Sequence, residues 1–253
     1  VNVPIDLHWL EAVLLSSVRM AGFLVSAPPF SYRAFPARVK AILALALGLA
    51  VSPKVVPEYV QLESTGAFLG AIVAELLLGL VLGFLVYITF AAVQAAGDIL
   101  DVFGGFQLAQ AFDPQSLTNG AQFSRLFYMA ALALMLSSDA YQLLLAGLFR
   151  SYDAIGIGVG IDLTMPAAQM VDSVTHMFVA ALQIAGPLVV VLFLADVGLG
   201  LLTRVAPALN AFSLGFPLKI LLTVTLGGLV LATLPAVVAA LTKVALDAFG
   251  SVR

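Results

Sequence analysis

The chain has 253 residues, of which 62% are hydrophobic and only 10% charged, with a formal net charge of −3. Soluble domains carry about 25% charge and about 45–50% apolar residues, so most of this surface must face lipid or other apolar protein. The acidic balance excludes a basic nucleic-acid reader. The absence of cysteine excludes disulfides, thiolate metal sites and cysteine nucleophiles.

Val1 to His8 carries no basic region. The first apolar segment is therefore expected to be a retained span rather than a cleaved signal. A bilayer core takes roughly 17–25 apolar residues per helix, and on that scale the chain holds about six blocks. They are Trp9–Pro28, Val39–Ser52, Ala67–Ala96, Phe123–Phe149, Met170–Leu202 and Phe216–Ala248. The second is short, and the third, fifth and sixth exceed a perpendicular span, so they are expected to tilt, bend or split. Pro187 and Pro235 remove helix donors inside the last two and predict kinks there. The expected fold is all-α: a polytopic membrane protein forming one membrane domain over residues 1–253.

Two connections, Ala27–Arg38 and Ser52–Gly66, carry prolines and charges and read as water-exposed. Gly97–Gln122 differs. After Asp98 and Asp101 it runs VFGGFQLAQAF from Val102 to Phe112 without a charge. That run is too short to span. Gly104-Gly105 breaks a helix within it, and Asp113-Pro114 favours a turn. Irregular backbone at membrane depth is tolerated only inside protein or beside a water-filled cavity. The residues themselves leave two readings open, an internal loop or a short amphipathic surface helix.

Enzymatic signatures are missing. There is no His-Glu-x-x-His, no Gly-x-Ser-x-Gly and no phosphate loop. The Gly156–Gly160 glycines read as a flexible connection. Two histidines, His8 and His176, are too few for a histidine metal site. No cofactor and no catalytic or metal-binding residue is expected. Arg19, Glu75, Asp139 and Asp196 fall inside apolar blocks, where an exposed charge is costly. A proton or ion relay is one reading. Their scatter, without repeated spacing, favours buried pairs and helix-to-helix bonds. Glu75, Gly79 and Gly83 share one helix face, and Gly-x-x-x-Gly lets helix backbones approach closely, so this face is expected to associate within the chain or with a partner. Arg204, Pro207 and Asn210 recur every three residues at a late corner that Gly215 and Pro217 punctuate. Arg204 is expected to hold a helix end or an acidic neighbour such as Asp196.

Three stretches carry a resemblance to a known family. They are ADVGLGLLTRVAPALNAFSLGFPLKI from Ala195 to Ile220, QAAGDILDVFGGFQLAQAFDPQS from Gln94 to Ser116, and VRMAGFLVSAPPFSYRAFPARVKAILALAL from Val18 to Leu47. In these, and in their order along nearly the whole chain, the sequence resembles the FliR family of the flagellar type III export gate. LGFPLKI looks more like flagellar members than their injectisome relatives.

The resemblance implies kinked helical hairpins, a fold like a fusion of FliP-like and FliQ-like subunits, and assembly with FliP-like, FliQ-like and FlhB-like membrane proteins. It implies a place in the bacterial inner membrane, in the flagellar basal body, and a pore for unfolded export substrates. It also implies that a loop projecting into the pore corresponds to Phe103, Gly104, Gly105, Phe106, Gln107, Leu108, Gln110, Phe112, Asp113 and Pro114. Gln107, Gln110 and the Gly-Gly pair stand where many relatives carry a Met- or Ala-rich plug, so the resemblance does not assign the sealing side chain. Glu75, Gly79, Gly83, Asp196, Arg204, Pro207, Asn210, Phe212, Gly215, Phe216, Pro217 and Lys219 are the expected packing and assembly residues. The competing readings are an injectisome export-gate subunit and a secondary transporter that couples through Glu75, Asp139 or Asp196. Such transporters often show repeats between their halves, and this chain shows none.

Overall fold

The computed structural model describes residues 6–107, 122–159, 164–206 and 211–251. Among them there is helix and turn and no strand. The helices are α1 (Leu7–Ser26), α2 (Ala37–Val55), α3 (Thr65–Phe103), α4 (Gln122–Ser137), α5 (Ala140–Ala154), α6 (Thr164–Val205) and α7 (Ala211–Ser251), with a 3-10 turn at Val56–Glu58. The Asp6 side chain caps α1 by accepting from the His8 and Trp9 amides, and Ser64 Oγ accepts from the Ala67 amide at the start of α3.

Five helices are each long and apolar enough to cross a membrane, and the pair α4–α5 makes a sixth if counted as one span. The chain is thus an all-α polytopic membrane protein. The expected single block Phe123–Phe149 is broken, with α4 and α5 meeting at a bend of 73°. Asp139 causes the corner. It takes the left-handed conformation at φ 57°, and its backbone carbonyl accepts from the Gln142 amide at 2.9 Å. Asp139 therefore lies exposed at a corner rather than inside a span. The third block also differs. Helix α3 continues through Gly97 to Phe103, so Asp98, Asp101 and Val102 are helical rather than part of a loop. At 1.5 Å per residue, α3, α6 and α7 are each about 60 Å long, against an apolar bilayer core of about 30 Å.

The helices contribute to two compact units. One gathers the described parts of Val1–Thr89, Met135–Val174 and Ala240–Arg253, and the other those of Phe90–Leu134 and Thr175–Ala239. Helices α3, α6 and α7 each supply residues to both.

In the first unit α1 packs on α2 and on the N-terminal part of α3. Small residues set the approach of α1 to α3. A methyl added at Gly22 would lie 2.7 Å from the Leu76 carbonyl oxygen, and one at Gly79 would collide with the Arg19 carbonyl. At Gly83 it would meet the Phe23 carbonyl at 2.9 Å. The face shared by Glu75, Gly79 and Gly83 is thus turned to α1 of the same chain.

Close backbones place Arg19 of α1 beside Glu75 of α3, with both side chains buried. Arg19 Nε donates to Glu75 Oε2 at 2.6 Å and Nη2 to Oε1 at 3.0 Å. Nη1 donates to Ser151 Oγ at 3.3 Å and to the Ile155 carbonyl at 3.1 Å, and Nη2 also reaches the Gly156 carbonyl at 3.4 Å. All five guanidinium N–H groups are therefore used. Glu75 Oε1 further accepts from the Gly158 amide at 3.1 Å. The Tyr152 ring lies 4.1 Å from the guanidinium carbon, and its hydroxyl donates to the Ser16 carbonyl at 3.0 Å. Buried charge is tolerated here because every donor has an acceptor. The network ties the turn after α5 to the α1–α3 pair.

The connection between α2 and α3 is tied down nearby. Tyr59 donates to Glu11 Oε2 at 3.0 Å, and His8 Nε2 lies 2.8 Å from the Tyr59 carbonyl. Burial, and then the Glu11 carboxylate, push the Tyr59 phenol up to about 12, so it remains a donor at neutral pH.

Removing one partner of a buried ion pair costs about 3–5 kcal/mol. Arg19→Met and Glu75→Met should each destabilise the purified chain by that order in detergent unfolding. The double variant should cost clearly less than their sum. Additive losses would show that the two side chains do not depend on each other.

Candidate functional site

The segment between α3 and α4 is the candidate site, and its described part runs to Gln107. Helix α3 ends in a Schellman motif. The Phe106 amide donates to the Asp101 carbonyl at 3.0 Å, and the Gly105 amide to the Val102 carbonyl at 3.3 Å. Gly105 sits at φ 81°, a conformation that costs an L side chain about 1–2 kcal/mol. The sequence expectation of a break at Gly104-Gly105 is met at this position, but the glycines close a helix rather than interrupt a loop. Phe103 correspondingly forms the last helical residue and is exposed, as is Gln107.

Aromatic packing holds the turn in the second unit. The Phe106 ring meets Phe123 edge-on with centroids 5.4 Å apart, and Phe123 meets Phe127 at 5.9 Å. Gly104 lies against Thr223 of α7, and a methyl at Gly105 would come within 3.4 Å of the Phe216 ring. The structure therefore brings Gly104, Gly105 and Phe216 together, three residues expected from distant stretches. Leu108, Gln110, Phe112, Asp113 and Pro114 lie outside the described residues.

At the late corner Arg204 occupies the last turn of α6, where a cation suits the unpaired carbonyl end. Asp196 has another partner, Lys219 of α7, whose Nζ lies 2.7 Å from Oδ1. This pair remains partly exposed, and Phe193, one turn earlier in α6, is exposed near it. A methyl at Gly215 would meet the Leu199 side chain at 3.1 Å, which draws α7 close to α6. Pro217 lies inside α7 without ending it. Phe212 belongs to the first turn of α7, and Pro207 and Asn210 lie outside the described residues.

Two contributions were not anticipated from the sequence. Ser151, Tyr152 and the Ile155–Gly158 turn complete the Arg19 site. Asp101 makes side-chain bonds to the Phe123 and Ser124 amides. A lone arginine and a lone glutamate in separate apolar blocks signalled the first. Nothing local signals the second, since the bonded residues are 22 and 23 positions apart. Among the described residues no three His, Asp or Glu side chains are placed to hold a metal ion. A cleft of about 500 Å³ in the first unit is lined by Lys54, Glu58, Glu63, Tyr152 and Gly158. Lys54 is there paired with Asp153 at 2.7 Å. The contacts of the described part of the segment are those of packing, through Phe106, Phe123, Thr223 and Phe216.

Residues 10–244 match the model of the bacterial export proteins, family 1. The chain is 34% identical over 226 residues to the flagellar biosynthetic protein FliR of Bacillus subtilis (strain 168), covering 87% of this chain and 85% of that protein. It is 33% identical over 221 residues to the FliR protein of Escherichia coli (strain K12), covering 87% and 84%. It is also 32% identical over 178 residues to the Yop proteins translocation protein T of Yersinia pestis, covering 68% and 67%. With a family match over most of its length and relatives of this similarity, the chain belongs to the bacterial export proteins, family 1.

Proposed function

We propose that this chain is a subunit of the flagellar type III protein export gate, where it contributes wall and plug loop to a pore for unfolded flagellar subunits. The observation that carries this reading is the similarity to FliR proteins along nearly the whole chain. The place is the bacterial inner membrane within the basal body. The partners are FliP-like, FliQ-like and FlhB-like membrane proteins.

Physical features support each part. A wall subunit needs helices that cover more than lipid, and α6 and α7 expose Phe178, Leu182, Phe193, Leu221 and Leu229 along a length well beyond the bilayer. The Asp196–Lys219 pair on that face is costly against lipid and suits a protein neighbour or enclosed water. A plug needs apolar bulk without charge, which excludes water and ions by dewetting. Phe103 and Phe106 begin such a stretch, on a turn anchored to α4 and α7.

An injectisome subunit is the second reading, favoured by the similarity to the Yersinia translocation protein. A transporter reading loses ground because Glu75 is held by Arg19 and Gly158, and Asp196 by Lys219, so neither is poised to exchange ions.

Two outcomes are expected. Deleting residues 107–112 spares the α3 cap and Phe106. It should leave the assembly intact and make vesicles carrying it leaky to small ions when the export motor is idle. An assembled deletion as tight as wild type would return the segment to a plain surface connection. Lys219→Met leaves Asp196 without its cation on an apolar face. It should lower recovery of the complex with unlike membrane subunits more than it lowers insertion of the chain. Equal losses would place the pair's role inside the chain.

A further inference from the structure

We propose that Asp101 is a positioning residue for the loop between α3 and α4, fixing both of its ends through one buried residue. The proposal rests on the reading of that loop as the closure of a pore.

The start of an α-helix leaves its first amides without intrahelical partners. Side chains of Ser, Thr, Asp or Asn just before the helix usually accept from them. Helix α4 begins at Gln122, and the residues immediately before it in sequence, Gly120 and Ala121, offer no side-chain acceptor. Asp101 takes that place from the far side of the loop. Its Oδ1 accepts from the Phe123 amide and its Oδ2 from the Ser124 amide, each at 3.0 Å. The carboxylate is fully buried and meets the positive end of the α4 dipole.

The same residue closes the other end. The Asp101 backbone carbonyl accepts from the Phe106 amide in the motif that stops α3. Its backbone thus ends one helix while its side chain begins the next. Gly97, one turn earlier on the same face of α3, makes the approach possible. A methyl there would lie 2.5 Å from Ser124 Cα and 2.7 Å from the Phe123 carbonyl oxygen. The Phe106–Phe123 edge contact links the two ends a second time.

One buried carboxylate therefore holds the end of α3 against the start of α4. A cap built into the α4 side alone would support the helix but would not hold the two ends in register.

The test uses the full chain assembled with its partner membrane subunits in proteoliposomes. It compares wild type, Asp101→Ala, Asp101→Asn, and Asp101→Ala combined with Ala121→Asp, which returns a capping carboxylate from the α4 side of the loop. Hydrogen exchange at the Phe123 and Ser124 amides reads the bonds, and ion leak reads the loop's position. Exchange should quicken by about tenfold or more in Asp101→Ala and less in Asp101→Asn. Leak should rise in Asp101→Ala. In the combined variant exchange should slow again while leak stays high.

Unchanged exchange in assembled Asp101→Ala would overturn the proposal, and so would a combined variant as tight as wild type, which would reduce Asp101 to a helix cap. Deleting residues 107–112 in the same vesicles separates the two claims. A leaky deletion with a tight Asp101→Ala defeats the positioning role alone, whereas a tight deletion defeats the pore-loop reading and this proposal with it. If Asp101→Ala does not assemble, Asp101→Asn is read against the same outcomes.

Discussion

A guanidinium buried in apolar protein must have an acceptor for each of its donors, and Arg19 has them only when three parts of the chain come together. Glu75 supplies two oxygens from α3, Ser151 a hydroxyl from α5, and the turn after α5 two carbonyls. The arrangement in turn requires that α1 and α3 approach closely, which Gly22 and Gly79 allow. Filling either glycine would push the helices apart and strand the charge. The first unit is therefore specified less by its apolar surface, which many packings could bury, than by a polar network with one solution.

The second unit depends on the same principle at smaller scale. Asp101 is buried with its carboxylate bonded to two amides, and Gly97 supplies the close approach. In both units a small residue on α3 stands one turn from a buried carboxylate on the same helix, Gly79 beside Glu75 and Gly97 beside Asp101. Membrane helices lack a strong apolar driving force for association, so close packing and satisfied polar groups decide which helices meet. Helix α3 has 61% of its most apolar window buried, against 22% for the corresponding windows of α6 and α7. That contrast leaves α6 and α7 as helices with surface left to cover.

Much of this was legible in the sequence, and the misses have physical causes. Long apolar runs announced the helices, and Glu75, Gly79 and Gly83 announced a close-packed face. That α1 covers the face could not be read, because periodicity does not name a partner. The block Phe123–Phe149 read as one span because hydropathy averages over Ser137, Ser138 and Asp139, where a single left-handed residue turns the chain. Gly97 opened the expected connection before Asp98 and Asp101, but it lies within α3 and marks a close approach to Ser124. Asp196 and Lys219 were both marked as packing residues, yet their pairing crosses a helix boundary and left Arg204 as an equally good candidate. Of the loop, the uncharged character and the turning point at Gly104-Gly105 were readable. Its anchorage through Asp101 was not, since no local pattern joins residue 101 to residues 123 and 124.

The proposed role, one subunit of a gate built from unlike membrane proteins, is open to mass measurement of the intact assembly, purified in mild detergent through a tag on this chain. The expected result is a defined complex in which the chain is accompanied by different polytopic proteins. A lone monomer, or a homodimer carrying no other chain, would contradict it.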